Sequence, residues 1–445
     1  AADAGGFMTV RSRRLFSPTA EITALLAAPA RDLLVITDRY PPKNVGGAEI
    51  SLHLLLREAP FARRVVVAVF DSDIDAPALA SLNGVPVLTL PDAASWPLHR
   101  ATASAYRRAR RLGAGGRFEW TEGAAFLLRG GPAWQAPLRA AAIAFELGRR
   151  PRGGISSDWS LGPKSGWLRI GAATTLAAAM RPRAVLLDNC RSILLADSLR
   201  AAAPALRIVS LVRDNRFHCA RFDQSVQVAG TPCARCAFAC AAEDARGGRW
   251  RREVHRRHLA ATAARRRAAL TASDAIVVTS RYLESSMARM AGAVPITRVP
   301  NPGDDATDVA DIIRGVAERP GRHVAMVGML NESKGQLAFL RAAAPWLRAD
   351  RSRHVHLAGR GARMEALIRA FLAESGLETS VTLHGFLPRE DVLRLLRSCQ
   401  IAIAPTVWPE PFGRTPLEAG LARRPTVAFA HGGLSESIID GETGL

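Results

Sequence analysis

The chain has 445 residues, 48% hydrophobic and only 6% aromatic, with a formal net charge of +20. That length suits two domains, the composition is that of a soluble globular protein, and no apolar run approaches the ~18 to 20 residues that a membrane helix needs. Such charge suits nucleic acid, an anionic membrane surface or a phosphorylated substrate, but it is almost all arginine. Lysine occurs only as Lys43, Lys164 and Lys334. The alanine and arginine bias reads as genome composition, which weakens any inference about partners, but it singles out Lys334, which stands where arginine is the default.

The first thirty residues hold no apolar core followed by a small-residue cleavage site, so no secretion signal is read. The chain does not begin with Met, and Met8 offers a start. "LLVIT" at 33–37 reads as a buried strand, "GGAE" at 46–49 opens an amphipathic helix, and a second strand reads at 64–70. Strand, glycine-rich loop, helix and strand in that order make a Rossmann-like beginning. Residues 91–180, rich in Ala, Gly, Arg and Trp, read as a mainly helical insertion. Strands resume at 184–189, 207–212 and 274–280, and "VPNPGDDATD" at 299–308 reads as a polar interdomain linker.

A second alternating series follows, with strands at 323–328, 353–358, 380–384, 400–404 and 425–429 and helical patterns between them. The expected fold class is α/β, two Rossmann-like domains facing a cleft. The first runs over 31–300 and includes a Cys-rich loop at 213–248; the second runs over 320–445. The chain stops at "IIDGETGL", in what reads as a turn, so the second domain is expected to be incomplete.

Ligands of open parallel sheets bind beyond the carboxyl ends of the strands, and the glycine-rich motifs fall there. In "VGMLNESKGQL" (327–337), Lys334 and Gly335 stand between a strand end and a helix start, where free N–H groups and an ammonium make an anion site. A solvated surface lysine is the alternative. In "EPFGRTPLEAG" (410–420), Thr415, Pro416 and Glu418 read as N-cap, first helical residue and third residue of a helix. Capping alone explains Glu418, but it leaves Glu410 without a reason.

Together with "HLAGRG" (356–361) and "HGGLSE" (431–436), these motifs in this order resemble the retaining glycosyltransferases of family 4, which have the GT-B fold. The resemblance runs from about residue 33 to the end apart from the insertion, and Glu-x7-Glu within "PEPFG" is its most specific part. It implies transfer of a sugar from a UDP- or GDP-sugar, held mostly by the second domain, to a glycan, lipid-linked or other acceptor, as in polysaccharide biosynthesis. It implies a cytoplasmic enzyme, at the inner face of a membrane where its acceptor is lipid-linked. Lys334 would hold the diphosphate, with the backbone of Phe412, Gly413, Arg414 and Thr415 beside it. Glu418 would take the ribose hydroxyls and Glu410 those of the sugar, while Gly46 and Gly47 close over the diphosphate from the first domain. A leaving diphosphate stabilised by N–H dipoles and a lysine needs no metal cofactor, and no Asp-x-Asp is placed to bind one beside a donor.

Two departures stand out. Met329 follows Gly328 where the family usually has another cationic diphosphate ligand, a place that Arg414 or Arg360 could fill. Arg213-Asp214 stands where a His often faces the sugar, which makes Arg213 the third catalytic candidate beside Glu410 and Lys334. Other readings are an epimerase-like GT-B enzyme, for which no acid and base pair is identified, and a zinc-stabilised basic nucleic-acid-binding protein, for which no nucleic-acid module is present.

Cys219, Cys233, Cys236 and Cys240 are spaced C-x13-C-x2-C-x3-C, which can hold a structural zinc tetrahedrally. Reduced thiols and disulfides are the alternatives, the latter disfavoured without a secretion signal. His218 is a polar loop residue that could also serve as a ligand. If the cysteines bind metal, elemental analysis of protein purified without added metal gives about one equivalent of zinc per chain. Less than about a tenth of an equivalent with all four thiols titratable excludes the site.

Overall fold

The computed structural model describes residues 19–27, 31–42, 46–58, 64–71, 74, 76–91, 163–219 and 249–445. In the first half, β1 (Leu33–Thr37), β2 (Val65–Asp71), β3 (Ala78–Leu82), β4 (Val85–Pro91), β5 (Ala184–Asp188), β6 (Arg207–Val212), β7 (Ala275–Val278) and β8 (Ile296–Arg298) form one sheet. Its helices are α1 (Ala20–Ala27), α2 (Gly47–Arg57), α3 (Pro163–Met180), α4 (Cys190–Ile193), α5 (Ala196–Ala202), α6 (Arg249–Thr271) and α7 (Arg281–Ala291). In the second half, β9 (Arg322–Val327), β10 (Arg353–Ala358), β11 (Val381–Gly385), β12 (Ile401–Ala404) and β13 (Thr426–Ala428) form the other sheet. With it go α8 (Ala306–Ile313), α9 (Gln336–Arg348), α10 (Ala362–Ser375), α11 (Arg389–Ser398), α12 (Thr415–Leu421) and α13 (Leu434–Ser437).

The first sheet has the order β3-β4-β2-β1-β5-β6-β7-β8 and is parallel except for the antiparallel β3–β4 pair. Its central strands are buried on both faces, as parallel strands under helices are, with Leu34, Val35, Ile36 and Val65–Ala68 inaccessible to solvent. The order turns back between β1 and β5. The second sheet has the order β11-β10-β9-β12-β13 and turns back between β9 and β12. Each turning point opens a crevice at the carboxyl ends of the strands.

Two expectations change. The hairpin of β3 and β4 escapes the sequence pattern, because β3 is short and largely exposed, without a clean alternation of apolar and polar residues. The segment 299–308, read as linker, runs into α8. Asp305 caps that helix by accepting from the N–H groups of Thr307 and Asp308, and its buried Val309 and Ile313 pack on Leu393 of α11. Of the expected insertion, residues 92–162 lie outside the described residues, and 163–180 are the helix α3. Among the described residues no helix is long and apolar enough to cross a membrane.

One face of the second sheet carries four histidines. His323 of β9, His354 and His356 of β10 and His384 of β11 share it because alternate residues of a strand point the same way. His356 is buried and lies between His323 (2.9 Å) and His384 (3.0 Å), while His354 meets Thr382 at 2.7 Å. Burial, then the neighbouring His354, Arg319, His384 and His323, lowers the His356 pKa to about 3. Burial also lowers His354 and His384. An unfolded chain takes up protons at these residues below about pH 6.5 while the folded chain refuses them. Stability present above that pH is therefore lost as it falls towards about 3. Equilibrium urea unfolding should show this loss, and His356→Gln should flatten the slope between about pH 6.5 and 4.5. An unchanged slope means that the cluster is not the cause.

Candidate functional site

The crevice of the second sheet is built by the loops after β9 and β12. After β9 the chain turns through Glu332–Lys334, where Asn331 accepts from the Lys334 N–H at 3.0 Å, and enters α9 at Gly335. Gly335 has φ 72°, and a Cβ there would stand 1.9 Å from the Pro405 carbonyl oxygen. No other residue fits that left-handed conformation and that approach of the β12 loop. This holds Lys334 against the second loop, where its ammonium is ion-paired with the Glu410 carboxylate and lies 5.6 Å from the centre of the Trp408 ring. The lysine side chain keeps 24% of its surface exposed and the glutamate 9%. Two residues 76 positions apart, both expected at the donor, thus meet.

Glu410 is fixed from behind. Its carbonyl accepts from the Gly433 N–H at 2.6 Å, so "EPFG" and "HGGLSE" pack backbone to backbone. Phe412 is buried, and its carbonyl accepts from the Ser437 hydroxyl. Gly413 lies against Leu434 of α13.

The helix start at 415 differs from its expected form. The Thr415 hydroxyl donates to the Val327 carbonyl at 3.3 Å and does not cap; Arg414 takes the N-cap position with no side-chain capping bond. The capping box therefore does not explain Glu418. Its carboxylate is largely enclosed, and burial raises its pKa against the opposing effect of Arg414, whose Nε lies 3.4 Å away. An enclosed carboxylate held by one long contact is suited to a polar ligand.

Arg414 itself crosses the cleft. Its guanidinium donates to the Ser51 hydroxyl of α2 (2.8 Å) and to the Pro302 carbonyl (3.2 Å), and pairs with Asp304 (3.3 Å). Its stem covers Gly47, where a Cβ would come within 2.8 Å of the Arg414 Cδ. Gly46 and Gly47 thus form the N-cap and first residue of α2 directly under this side chain. Asp304, its side chain 5% exposed, also pairs with Arg389 at 2.5 Å. Of the two candidates to replace the cation missing at Met329, Arg414 is engaged in this crossing and Arg360 lies over the Phe386 ring at 4.2 Å. Met329 is exposed.

Arg213, expected to face the sugar, is turned into the first domain. Its Nε and Nη2 donate to the two oxygens of Asp188, at 2.7 and 2.6 Å, and its Nη1 to the Ala48 carbonyl. Asp188 also accepts from Thr37 at 2.7 Å. The guanidinium thereby ties the ends of β1, β5 and β6 to the first turn of α2. Its place after β6 suggests a residue facing the crevice, and the buried Asp188 that claims it lies 25 residues upstream.

At the turning point of the first sheet lies a cavity of about 440 Å³, lined by Asp38, Arg39, Tyr40, Asn189, Arg191 and Arg216 among others. Asp38 is paired with Arg169, and burial raises its pKa despite that partner. Nothing in the sequence marks this cavity, or Asp304, Asn215 and Ser280; Trp408 carries one signal, its place beside "PEPFG". Cys219 is half-buried, whereas Cys233, Cys236 and Cys240 lie outside the described residues. Among the described residues no group of His, Cys, Asp and Glu forms a metal cluster. His218, expected as a polar loop residue, is half-buried with its Nε2 3.5 Å from the Tyr282 hydroxyl.

The buried Arg414–Asp304 pair should carry more stability than exposed pairs do. Asp304→Ala, which strands Arg414, should cost about 3 kcal/mol in equilibrium unfolding. Glu390→Ala, which breaks an exposed pair with Arg394, should cost under about 1 kcal/mol. Equal losses would remove the pair from its structural role.

Residues 321–445 match the family model described as glycosyl transferases group 1. Over 151 residues the chain is 32% identical to D-inositol 3-phosphate glycosyltransferase of Nocardia farcinica, covering 32% of each chain. Over 175 residues it is 29% identical to glycogen synthase of Mycobacterium tuberculosis, covering 39% of this chain and 41% of that one. The matched stretches thus span about a third to two fifths of the length of these relatives. Among solved structures, sucrose-phosphate synthase from Thermosynechococcus elongatus aligns over 93% of this chain and 85% of its own, with TM-score 0.57 and 17% identity. Anabaena HepE in complex with UDP aligns over the same shares with TM-score 0.54 and 15% identity. The chain therefore has the two-domain GT-B fold, and its residues 321–445 resemble a glycosyl transferases group 1 domain.

Proposed function

We propose that the protein is a retaining glycosyltransferase that moves a sugar from a nucleoside-diphosphate sugar to a hydroxyl-bearing acceptor without a metal ion. The observation that carries this reading is the Lys334–Glu410 pair at the turning point of the second sheet, with Trp408 beside it and Glu418 enclosed nearby. In the free protein the ammonium and the carboxylate neutralise each other. An arriving diphosphate is a stronger partner for the ammonium, and its binding releases Glu410 to accept hydrogen bonds from the sugar. Glu418 accepts from the ribose hydroxyls in the same way.

As the bond from the anomeric carbon to the diphosphate oxygen breaks, its electron pair stays on that oxygen. Lys334 and the N–H groups at 413–415 stabilise the charge that develops there. Glu410 faces the positive charge that develops on the ring. The acceptor hydroxyl then bonds to the anomeric carbon on the face the diphosphate leaves, and its proton passes to the departing phosphate.

The acceptor enters from the first domain, whose polar cavity lies at its own turning point. The acceptor is a glycan or a lipid-linked glycoconjugate, the latter met at the inner face of a membrane.

Calorimetry with UDP and GDP tests the donor site. Lys334→Ala should weaken the preferred nucleotide by at least about tenfold. Glu418→Gln should melt close to the unmutated protein yet bind that nucleotide about tenfold more weakly. Unchanged affinity in both variants removes the pair of residues from the donor site.

A further inference from the structure

Glu410 stands between two prolines, and the two proline carbonyls are both held from the other domain. The Pro409 carbonyl accepts from the Asn215 side-chain amide at 2.7 Å, and the Pro411 carbonyl accepts from the Ser280 hydroxyl at 2.5 Å. The carbonyl between them, that of Glu410, is taken by Gly433 within its own domain. Three consecutive carbonyls are thus fixed, two of them across the cleft. Prolines have no N–H, so these carbonyls are the handles by which the loop can be held.

The residues that do the holding are rigid. Asn215 and Ser280 are both inaccessible to solvent. Asn215 opens the turn Asn215–Phe217 after β6, where Asp214 accepts from the Arg216 N–H at 2.8 Å. Arg266 lies over the Phe217 ring at 5.2 Å and donates to the Arg216 carbonyl, which fixes the turn from below. Ser280 caps α7, accepting from the Leu283 N–H at 3.1 Å while its own hydrogen goes to Pro411. Glu436 reaches back from α13 to accept from the Arg281 and Tyr282 N–H groups, at 2.9 and 3.2 Å. The start of α7 is therefore tied to the second domain on both sides of the Glu410 loop.

We infer that Asn215 and Ser280 are positioning residues for Glu410, which set the place of the sugar-binding carboxylate only when the two domains are together. This rests on the donor-site reading given above. Lys334 and Glu418 belong to the second domain alone and bind the nucleotide with or without the contact. The sugar is recognised by a carboxylate whose backbone is held from the first domain. Nucleotide affinity and sugar recognition should then be separable by substitutions that touch neither ligand.

The test uses Asn215→Asp and Ser280→Asp, which stay close in size and, for Ser280, keep the helix cap, but cannot donate to the proline carbonyls. Ser280→Thr keeps both donor and cap and serves as the rescue control, and Asn215→Ala replaces Asn215→Asp if the new charge prevents folding. The probes are UDP, GDP and ADP with their glucose esters. Each donor-less variant should bind the preferred nucleotide within about twofold of the unmutated chain, lose its preference for the glucose ester by about tenfold, and lose at least about tenfold in kcat for donor hydrolysis. Ser280→Thr should stay within about twofold in all three.

A second measurement needs no ligand. Hydrogen exchange in peptides covering 409–413 and 431–437 should speed up in the donor-less variants and not in Ser280→Thr. Unchanged exchange with unchanged sugar preference overturns the inference and leaves the donor site standing. Failure of the unmutated chain to bind any of the nucleotides or their esters overturns the donor site and the inference together.

Discussion

A carboxylate withdrawn from water needs cations around it, and Asp304 organises the centre of this molecule for that reason. Its side chain is 5% exposed and draws in Arg414 from the start of α12 and Arg389 from α11. Removing one member of such a set strands the others. Because Arg414 also donates to Ser51 and covers Gly47, the same charge fixes the glycine turn of the first domain against the start of α12, the helix that carries Glu418. The chain between the sheets is thus an electrostatic junction where three segments meet.

A second buried pair acts similarly in the first domain. Arg213 and Asp188 lock the strand ends to α2, and the arginine reaches the Ala48 carbonyl two residues beyond Gly46. Both arginines therefore grip one helix start. Glycines there allow the approach, and bidentate or multiple donors hold it, which suits arginine better than lysine. The few lysines are consistent with this division, since Lys334 has one compact partner, Glu410, and a ring beside it.

Much of the α/β architecture around these junctions is legible along the chain. The central strands β1, β2 and β5 of the first sheet follow from short apolar runs, because parallel strands buried on both faces have few polar residues to blur the pattern. The strands of the second sheet follow from their regular alternation with helical patterns, although histidines interrupt β9, β10 and β11. Lys334 and Glu410 are found together as expected, since both follow strands that flank the turning point of their sheet. Glycine at 335 reports the same local demand in sequence and structure, a left-handed turn pressed against Pro405.

Only the tertiary structure decided the roles that depend on distant partners. "VPNPGDDATD" has the look of solvent-facing linker, and nothing local shows that Asp304 is enclosed or that 306–313 is a helix packed on α11. Arg213 has the look of a site residue until Asp188 claims it, and Thr415 has the look of a cap until the Val327 carbonyl does. Asn215 and Ser280 lie in ordinary turn and cap positions, and their further hydrogen bonds go to prolines 194 and 131 residues away. Periodicity and turn chemistry are local and can be read along the chain. A hydrogen bond or ion pair between domains is fixed by how two sheets come to face each other, and that is a property of the whole fold.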